Sequence, residues 1–408
     1  MDFVNEIEKS AFMSKDYTKF KRCEKMLYES GIVADLIYVL FCALNNQNVD
    51  LDKVSNIDFT ELFAIAESHK LAACVTFALE NVGLDNELLK QWKQAKSMAV
   101  RKNLLLNNER NMIYDYMEDN KILHVSLKGI VLQNMYPKFG MREMCDNDIL
   151  YDSDYQEQMY NFMIANGYHA EIYKRSNHDE YMKAPVYNVE LHNALFMRSE
   201  IPKLYDYYSK VVDRLIPVEG KKYELRFSDE DFYIYNIAHA YKHYSFGGTG
   251  LRILTDTYVF LKAKKDTLDI SYIEKECQKI DIADFEFMCR TLSQKLFSPN
   301  SESYKLSEKQ EEFLNFIIMS GAYGTQELSV ENTIKQLSEN GKNTKWDGNI
   351  SCLSEKLEQY MKKKNYRYTY SYSSIYLNFS KVESKRIYKS FGISILEILR
   401  KLKTLIRI

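Results

Sequence analysis

The first part of the chain carries apolar residues at the spacing of an α-helix. Leu36 and Leu40 are four positions apart, and Leu104 and Met112 are eight positions apart. Residues at such intervals share one face of a helix, whereas the apolar residues of a half-buried strand alternate with polar ones. The pattern predicts a helical region over residues 1–118.

A strand, a tight turn and a second strand are predicted next. Residues 122–127, with the sequence ILHVSL, form a short β-prone run, and the Lys-Gly pair at 128–129 follows as a turn. A second strand is predicted within 141–151, after a proline and a glycine have ended a short helix. Strand side chains alternate with period two, so Asp146 and Asp148 project from the same face.

Three further strand segments follow. GYHAEIY, EYMKAPV and YNVELHNAL are β-prone and are separated by turn residues. The last of them places Glu190 and His192 on one face, because they are two positions apart. These segments predict a small mixed sheet.

The rest of the chain returns to a helical pattern. Ser228 and Asp231 form a capping-box start to a helix, and amphipathic segments continue beyond it. The predicted fold class is therefore α+β, with a small mixed sheet flanked by helices and helical N- and C-terminal regions. The predicted boundaries are 1–118 for the N-terminal helices, 119–225 for the sheet-containing core, and 226–408 for the C-terminal region.

Composition and charge limit the classes of protein. The formal net charge is −2, from 55 basic and 57 acidic residues. No overall basic field therefore points to nucleic acid as the main partner. Seven cysteines without a C-x-x-C spacing predict reduced thiols and a cytoplasmic location. The amino terminus lacks the positive region of an export signal, and the apolar run at 31–44 is shorter than the ~20 residues of a membrane span.

The candidate chemistry lies in paired carboxylates. Aspartates two positions apart, like those at 146 and 148, also occur at 50 and 52, 152 and 154, and 229 and 231. An isolated pair of this kind often belongs to a solvated turn, where its carboxylates cap a helix. Only the pair at 146–148 follows a strand, a glycine turn and a basic residue, and precedes a strand with another carboxylate, Glu190. This context distinguishes it from the other three.

Three carboxylates on neighbouring strands suit a divalent metal. Mg²⁺ prefers hard oxygen ligands and is usually held by carboxylates together with substrate phosphates. With two ions ~3.5–4 Å apart, one activates the attacking oxygen and the other stabilises the leaving pyrophosphate. We therefore predict Asp146, Asp148 and Glu190 as catalytic residues that hold Mg²⁺ or Mn²⁺, with a nucleoside triphosphate (NTP) as substrate.

Basic and small residues near the pair predict a phosphate-binding role. Gly129 would let the backbone approach a triphosphate closely, and Lys128 and Arg142 would neutralise charge on its oxygens. His192 is predicted either to orient the site or to be a hydrogen-bonded core histidine.

Several motifs together resemble a known family. They are L-K-G at 127–129, Y-P at 136–137, Arg142, D-N-D-I-L at 146–150, E-L-H at 190–192, H-x-x-x-H at 239–243 and L-R-x-x-x-D at 251–256. This set resembles the bacterial uncharacterised nucleotidyltransferase-like family, roughly over residues 100–265. The resemblance implies a core of the polymerase-beta type that transfers a nucleoside monophosphate (NMP) from an NTP to an acceptor.

The resemblance also assigns positions. The family's paired aspartates correspond to Asp146 and Asp148, and its acidic-Leu-His element corresponds to Glu190 and His192. A Lys-Gly turn stands where better-known members have Gly-Ser. The residue between the aspartates is usually apolar, whereas here it is Asn147, which needs hydrogen-bond partners wherever it is buried.

Two histidines and two charged residues form a second predicted group. His239 and His243 are four positions apart, which suits a metal, but Ala240 replaces the glutamate that the zinc-hydrolase motif requires. We predict instead that they form a polar network with Arg252 and Asp256 of the next helix, facing the cleft and contacting nucleotide or acceptor.

The remaining predictions concern partners. Residues 381–408 contain eight basic and two acidic side chains among Ile and Leu, which indicates weak contact with an anionic surface or a solvated helix face. The acceptor is a small molecule, glycan, protein or RNA. Two alternative functions stay open: a non-catalytic nucleotide-binding or scaffold protein with a degenerate fold, and a toxin-like enzyme acting on RNA, which a basic cleft around the carboxylates would favour.

Overall fold

The computed structural model describes residues 31–54, 56–80, 82, 86–299, 306–322 and 324. The chain divides into two compact units, one within 1–240 and 250–322 and the other within 241–249 and 323–408. The basic segment 381–408 lies outside the described residues. All seven strands of the described residues belong to the first unit.

Helices precede the sheet, as predicted. Helix α1 buries Leu36 and Leu40 completely, on the face that the sequence spacing indicates. The Asp58 side chain caps the next long helix by accepting hydrogen bonds from the backbone N–H groups of Thr60 and Glu61. From residue 31 onward, the helices before the first strand are α1 (Ile32–Leu44), α2 (Leu51–Val54), α3 (Phe59–Ser68), α4 (Ala72–Leu79) and α5 (Asn86–Asp119).

Helix α5 buries a different face from the one that its apolar spacing suggested. Leu106, Ile113 and Met117 are fully buried, whereas Leu104 is 53% exposed. The buried set repeats at seven and four positions, and it faces the sheet. The helix itself is confirmed, but three consecutive leucines left its buried face ambiguous, and contact with the sheet decides it.

A seven-stranded mixed sheet forms the centre of the unit. Its order is β3-β4-β5-β2-β1-β7-β6, with β2–β5 and β1–β7 parallel and the other pairs antiparallel. The strands are β1 (His124–Ser126), β2 (Asn147–Tyr151), β3 (His169–Ile172), β4 (His178–Lys183), β5 (Tyr187–His192), β6 (Ile216–Pro217) and β7 (Glu224–Arg226). The sequence did not predict β6 and β7, because two or three residues are too few to show alternation.

The strand β2 is buried along its whole length. It lies between β5 and β1, and its Ile149 and Tyr151 pack in a core with residues of helix α5 and of the helix that follows β2. A central strand that is covered on both faces needs apolar residues on both. The polar side chains at its start therefore require specific partners.

Helices follow the first strand and dominate after the sheet. The Ser228 hydroxyl accepts a hydrogen bond from the backbone of Asp231, at the predicted helix start. The helices are α6 (Gly129–Leu132), α7 (Gln156–Ala165), α8 (Pro202–Tyr208), α9 (Asp229–Phe246), α10 (Arg252–Lys264), α11 (Ile270–Lys279), α12 (Ala283–Phe297) and α13 (Glu308–Ser320). The α+β class is confirmed. Within the described residues, none of the helices has the length and apolarity to cross a membrane.

A buried histidine makes the stability of this unit depend on pH. His69 is fully buried, and its Nδ1 accepts a hydrogen bond from the backbone of Leu251 at 3.1 Å. Burial lowers the pKa of His69 from 6.5 to about 4. The unfolded chain therefore binds a proton at this residue below pH 6.5, while the folded chain does so only near pH 4, and stability is lost as the pH falls between these values.

We expect the wild type to lose about 2 kcal/mol more unfolding free energy between pH 8 and pH 5 than His69→Gln. Urea titration at both pH values measures this difference. His169→Gln is the matched control, because the His169 side chain is 65% exposed. An equal loss in wild type and His69→Gln would contradict the assignment.

Candidate active site

Strand pairing brings the three predicted carboxylates together. Asp148 of β2 lies directly opposite Glu190 of β5 in the parallel register. Asp146 stands just before β2, two positions from Asp148. One ligand oxygen of each of the three carboxylates lies within 4.8 Å of the others. The predicted alternation and an unpredicted strand register together produce this cluster.

Asp148 forms hydrogen bonds with two neighbouring side chains. Its Oδ1 accepts hydrogen bonds from Lys128 Nζ at 2.7 Å and from His192 Nε2 at 3.0 Å. Burial by itself would raise the pKa of Asp148, but the charge of Lys128 and the bond from His192 hold it well below 3.8. Asp148 is therefore ionised at neutral pH.

Asp146 differs from its neighbour in charge state. Burial, the charge of Asp148 and the charge of Glu190 raise its pKa from 3.8 to about 7, although Lys128 opposes them. Two adjacent carboxylates thus have pKa values on opposite sides of the usual aspartate value. Mutual repulsion of this kind is relieved by a cation.

Lys128 occupies a backbone conformation that L-residues seldom adopt. Its φ is 42° and its ψ is −114°, in the turn between β1 and α6. Such conformations cost about 1–3 kcal/mol and persist only where the surroundings impose them. The ammonium group of the same residue forms a buried ion pair with Asp148. The sequence predicted a phosphate contact for Lys128, whereas the structure directs its ammonium group to Asp148.

Arg142 forms a buried ion pair. Its Nε and Nη2 donate to the two carboxylate oxygens of Asp256 at 2.8 and 3.0 Å, and Tyr136 donates its hydroxyl to the same carboxylate at 2.8 Å. The guanidinium group is buried, and the Asp256 charge helps to raise the pKa of Arg142 against the effect of burial. The structure places Arg142, for which a phosphate contact was predicted, against Asp256, a residue 114 positions away that matches its charge.

The same arginine explains Gly129. A Cβ atom at this position would lie 2.4 Å from Arg142 Nη1 and 2.8 Å from Met144 Sδ. A side chain at this position would therefore displace the end of Arg142 or Met144, so glycine allows the close packing of α6. The structure provides this packing reason where the sequence suggested approach to a triphosphate.

Asn147 obtains the partners that a buried amide needs. It is fully buried, its Nδ2 donates to the Leu106 carbonyl at 2.8 Å, and its Oδ1 accepts from Arg110 at 3.4 Å. Both partners belong to α5. The polar residue between the aspartates therefore anchors β2 to the long helix.

A histidine that the sequence did not single out joins the site. His178 of β4 lies directly opposite His192 of β5, and the two ring centroids are 5.1 Å apart. His192 Nε2 is also 3.3 Å from Glu190 Oε2. The bonds to Asp148 and Glu190 raise the pKa of His192 against burial, whereas burial lowers the pKa of His178. Only the hairpin register, which the sequence left open, identifies His178.

Of the other predicted site residues, Arg252 lies close enough to the cluster for its charge to oppose the rise in the pKa of Asp146. Arg252 donates to the Glu143 carbonyl at 3.4 Å, and the ring of His239 lies 6.3 Å from that of Tyr235. His243 belongs to the second unit. Asp256 forms its ion pair with Arg142. The helical spacing had grouped it with Arg252.

Tyr235 is a further residue that the sequence did not indicate. It is fully buried on α9, and its hydroxyl has no hydrogen-bond partner among the described residues. Burial raises its pKa, and the charges of Lys128 and Asp148 also act on it. The hydroxyl therefore lies within electrostatic reach of the carboxylate cluster.

A cleft of about 810 Å³ is separate from this cluster. Its lining includes Arg110, Lys221, Arg226 and Lys264, together with acidic residues, and none of the three carboxylates. Lys128 and Arg142 form internal ion pairs with Asp148 and Asp256, whereas the charge of Arg252 also acts on Asp146.

The sequence of the chain matches a known protein family. A family model described as uncharacterised nucleotidyltransferase matches residues 55–298, more than half of the chain. The chain belongs to this family. All the predicted site residues lie inside the matched range of the uncharacterised nucleotidyltransferases, and the family description supports nucleotidyl transfer in general. Neither the curated proteins nor the solved structures contain a match.

Proposed function

We propose that the protein is a metal-dependent nucleotidyltransferase that moves an NMP group from an NTP to an acceptor. The observation that carries the proposal is the pairing of Asp148 with Glu190 across β2 and β5, with Asp146 beside them, in a chain of this family. A polymerase-beta type of core is part of the proposal. The acceptor is a small molecule, a glycan, a protein or an RNA, since one fold serves many acceptors.

The donor set fits Mg²⁺ or Mn²⁺. Asp146, Asp148 and Glu190 offer carboxylate oxygens within 4.8 Å of one another, and hard divalent ions prefer oxygen. Burial, together with the charges of Asp148 and Glu190, raises the pKa of Asp146, and a bound cation would offset that repulsion. When bound, divalent ions supply activation of the attacking oxygen and stabilisation of the leaving pyrophosphate.

The protein's own residues account for the rest of the reaction. Lys128 and His192 hold Asp148 ionised and oriented through its Oδ1. The acceptor attacks the α-phosphorus, a new P–O or P–N bond forms, and the bond to pyrophosphate breaks. The acceptor also loses a proton, which we assign to Glu190, the carboxylate at the end of β5 whose side chain remains partly exposed.

The test is transfer of label from α-labelled NTP. The full chain is incubated with each labelled NTP, Mg²⁺ and one acceptor class at a time, and pyrophosphate and acceptor mass are measured. We expect pyrophosphate release together with an acceptor that is heavier by one NMP, and loss of both when EDTA removes the metal. Unchanged release in EDTA would contradict the metal requirement.

A second candidate is a nucleotide-binding protein without turnover. The observation that favours it concerns Asp148. Its Oδ1 already accepts hydrogen bonds from Lys128 and His192, so these two side chains occupy an oxygen that a metal ion would otherwise use. In that case calorimetry would detect NTP binding, while no NTP and no acceptor class would yield pyrophosphate. That result would replace the first proposal by the second.

A further inference from the structure

We propose that His178, Glu190 and His192 bind a first-row transition-metal ion such as Zn²⁺, at a site next to the three carboxylates. The inference goes beyond the proposed nucleotidyl transfer and shares two residues with it: Glu190, and His192, which donates to Asp148. The mixed nitrogen and oxygen donors distinguish this site from the all-carboxylate set, and His178 has no role in the transfer reaction described above.

The β4–β5 hairpin places all three donors on one face of the sheet. His178 and His192 are directly opposite in the antiparallel register, and opposite residues project to the same side. Glu190 precedes His192 by two positions on β5, so it shares that face. The arrangement follows from the register and does not need a loop to close.

The distances fit a coordination sphere. One ligand atom from each of the three residues lies within 4.8 Å of the other two. His192 Nε2 and Glu190 Oε2 are 3.3 Å apart. Ligand atoms of a tetrahedral zinc ion at ~2.0–2.2 Å lie about 3.3–3.6 Å from each other. The group therefore needs only a small contraction to surround an ion.

The histidine nitrogens supply a second, independent observation. Nδ1 of His178 is buried and has no hydrogen-bond partner among the described residues. His192 faces Glu190 through Nε2, the nitrogen that also lies 3.0 Å from Asp148. His192 is only 4% exposed. A buried polar atom without a partner is costly, and coordination to a metal supplies a partner to a ring nitrogen.

The donor set determines the class of ion. Two imidazoles and one carboxylate suit Zn²⁺, Fe²⁺, Co²⁺ or Mn²⁺, with an open position for water or substrate, whereas Mg²⁺ favours oxygen ligands. Because Glu190 belongs to both groups, an ion held by the histidines and an ion held by the aspartates would share this carboxylate. We therefore expect the two sites to influence each other's affinity.

The test measures metal binding directly and does not depend on turnover. Chelator-treated full chain is titrated with Zn²⁺ in excess Mg²⁺ by calorimetry, and with Co²⁺ by visible absorption. We expect the wild type to bind one Zn²⁺ at this site, and His178→Ala to bind it about 100-fold more weakly. His169→Ala, which changes an exposed histidine of β3, should bind as the wild type does.

Two further variants make the result decisive. His178→Cys keeps a metal ligand, so it should retain Zn²⁺ and add a sulfur-to-cobalt charge-transfer band that a purely structural histidine would not produce. Asp146→Asn should keep Zn²⁺ binding, because Asp146 belongs only to the carboxylate set. Equal affinities of wild type and His178→Ala, or no new band in His178→Cys, would overturn the inference.

The outcome is separate from that of the proposed function. A protein that binds Zn²⁺ through His178 but releases no pyrophosphate would retain this site and lose the enzymatic proposal. A protein that releases pyrophosphate but binds Zn²⁺ equally with and without His178 would retain the enzyme and lose this site. Circular dichroism of each variant verifies that the fold is intact.

Discussion

Replacing Asp146 by asparagine should lower the rate of pyrophosphate release by roughly 1,000-fold, the loss expected when one charged group that stabilises a transition state is removed. Asp146 is the informative member of the cluster. Asp148 accepts hydrogen bonds from Lys128 and His192, so its replacement would leave the buried lysine without a counter-charge. Asp146 instead experiences repulsion from Asp148 and Glu190. Asp146→Asn should therefore lose activity without a fall in unfolding free energy.

The chain offers a matched control for this variant. Asp152 and Asp154 form another pair with the same spacing, and Asp154 is exposed. Asp154→Asn makes the same chemical change away from the cluster and should keep the wild-type rate. The measurement is initial pyrophosphate release at saturating NTP and Mg²⁺, together with a urea titration of each protein. Equal rates for Asp146→Asn and the wild type would remove Asp146 from the catalytic set.

Replacing Asp256 by leucine should lower the free energy of unfolding by about 3–5 kcal/mol, because it leaves the buried Arg142 without its counter-charge. The side chains of Arg142 and Asp256 are only 8% and 7% exposed. The variant also removes the acceptor of the Tyr136 hydroxyl. Urea titration at neutral pH measures the loss.

The double variant tests whether the loss comes from the unmatched charge. Arg142→Met together with Asp256→Leu replaces both charges by apolar groups and should recover most of the stability. The exposed pair Arg198 and Asp206, with side chains 68% and 58% exposed, is the control. Asp206→Asn should change the unfolding free energy by less than about 1 kcal/mol. Additive losses in the double variant would show that packing, and not charge, explains the effect.

Local patterns predicted the parts of the site that lie within one element. Period-two alternation grouped Glu190 with His192, and a spacing of two linked Asp146 with Asp148, since both follow from the geometry of a strand. The same reasoning found α1, three of the later strands and the Ser228 helix start. These features depend on residues within a few positions of one another.

Contacts between distant segments could not be predicted in the same way. Arg142 was expected to meet phosphate, but Asp256, which neutralises it, comes from α10. His178 gained its place only through the β4–β5 register, and a shift by one residue would have turned it to the opposite face. Leu104, on a helix that was correctly predicted, is exposed because the sheet covers the neighbouring face of α5.

The sequence by itself determined the α+β class, the helical regions on both sides of the sheet, and the residues of the carboxylate cluster, because alternation, helical spacing and side-chain chemistry are local properties. Only the tertiary structure decided that β2 lies beside β5, that Lys128 and His192 share one oxygen of Asp148, and that Arg142 is matched by Asp256. The reason is physical. Which charge neutralises which depends on strand order and register, and these are set by burial of the whole core.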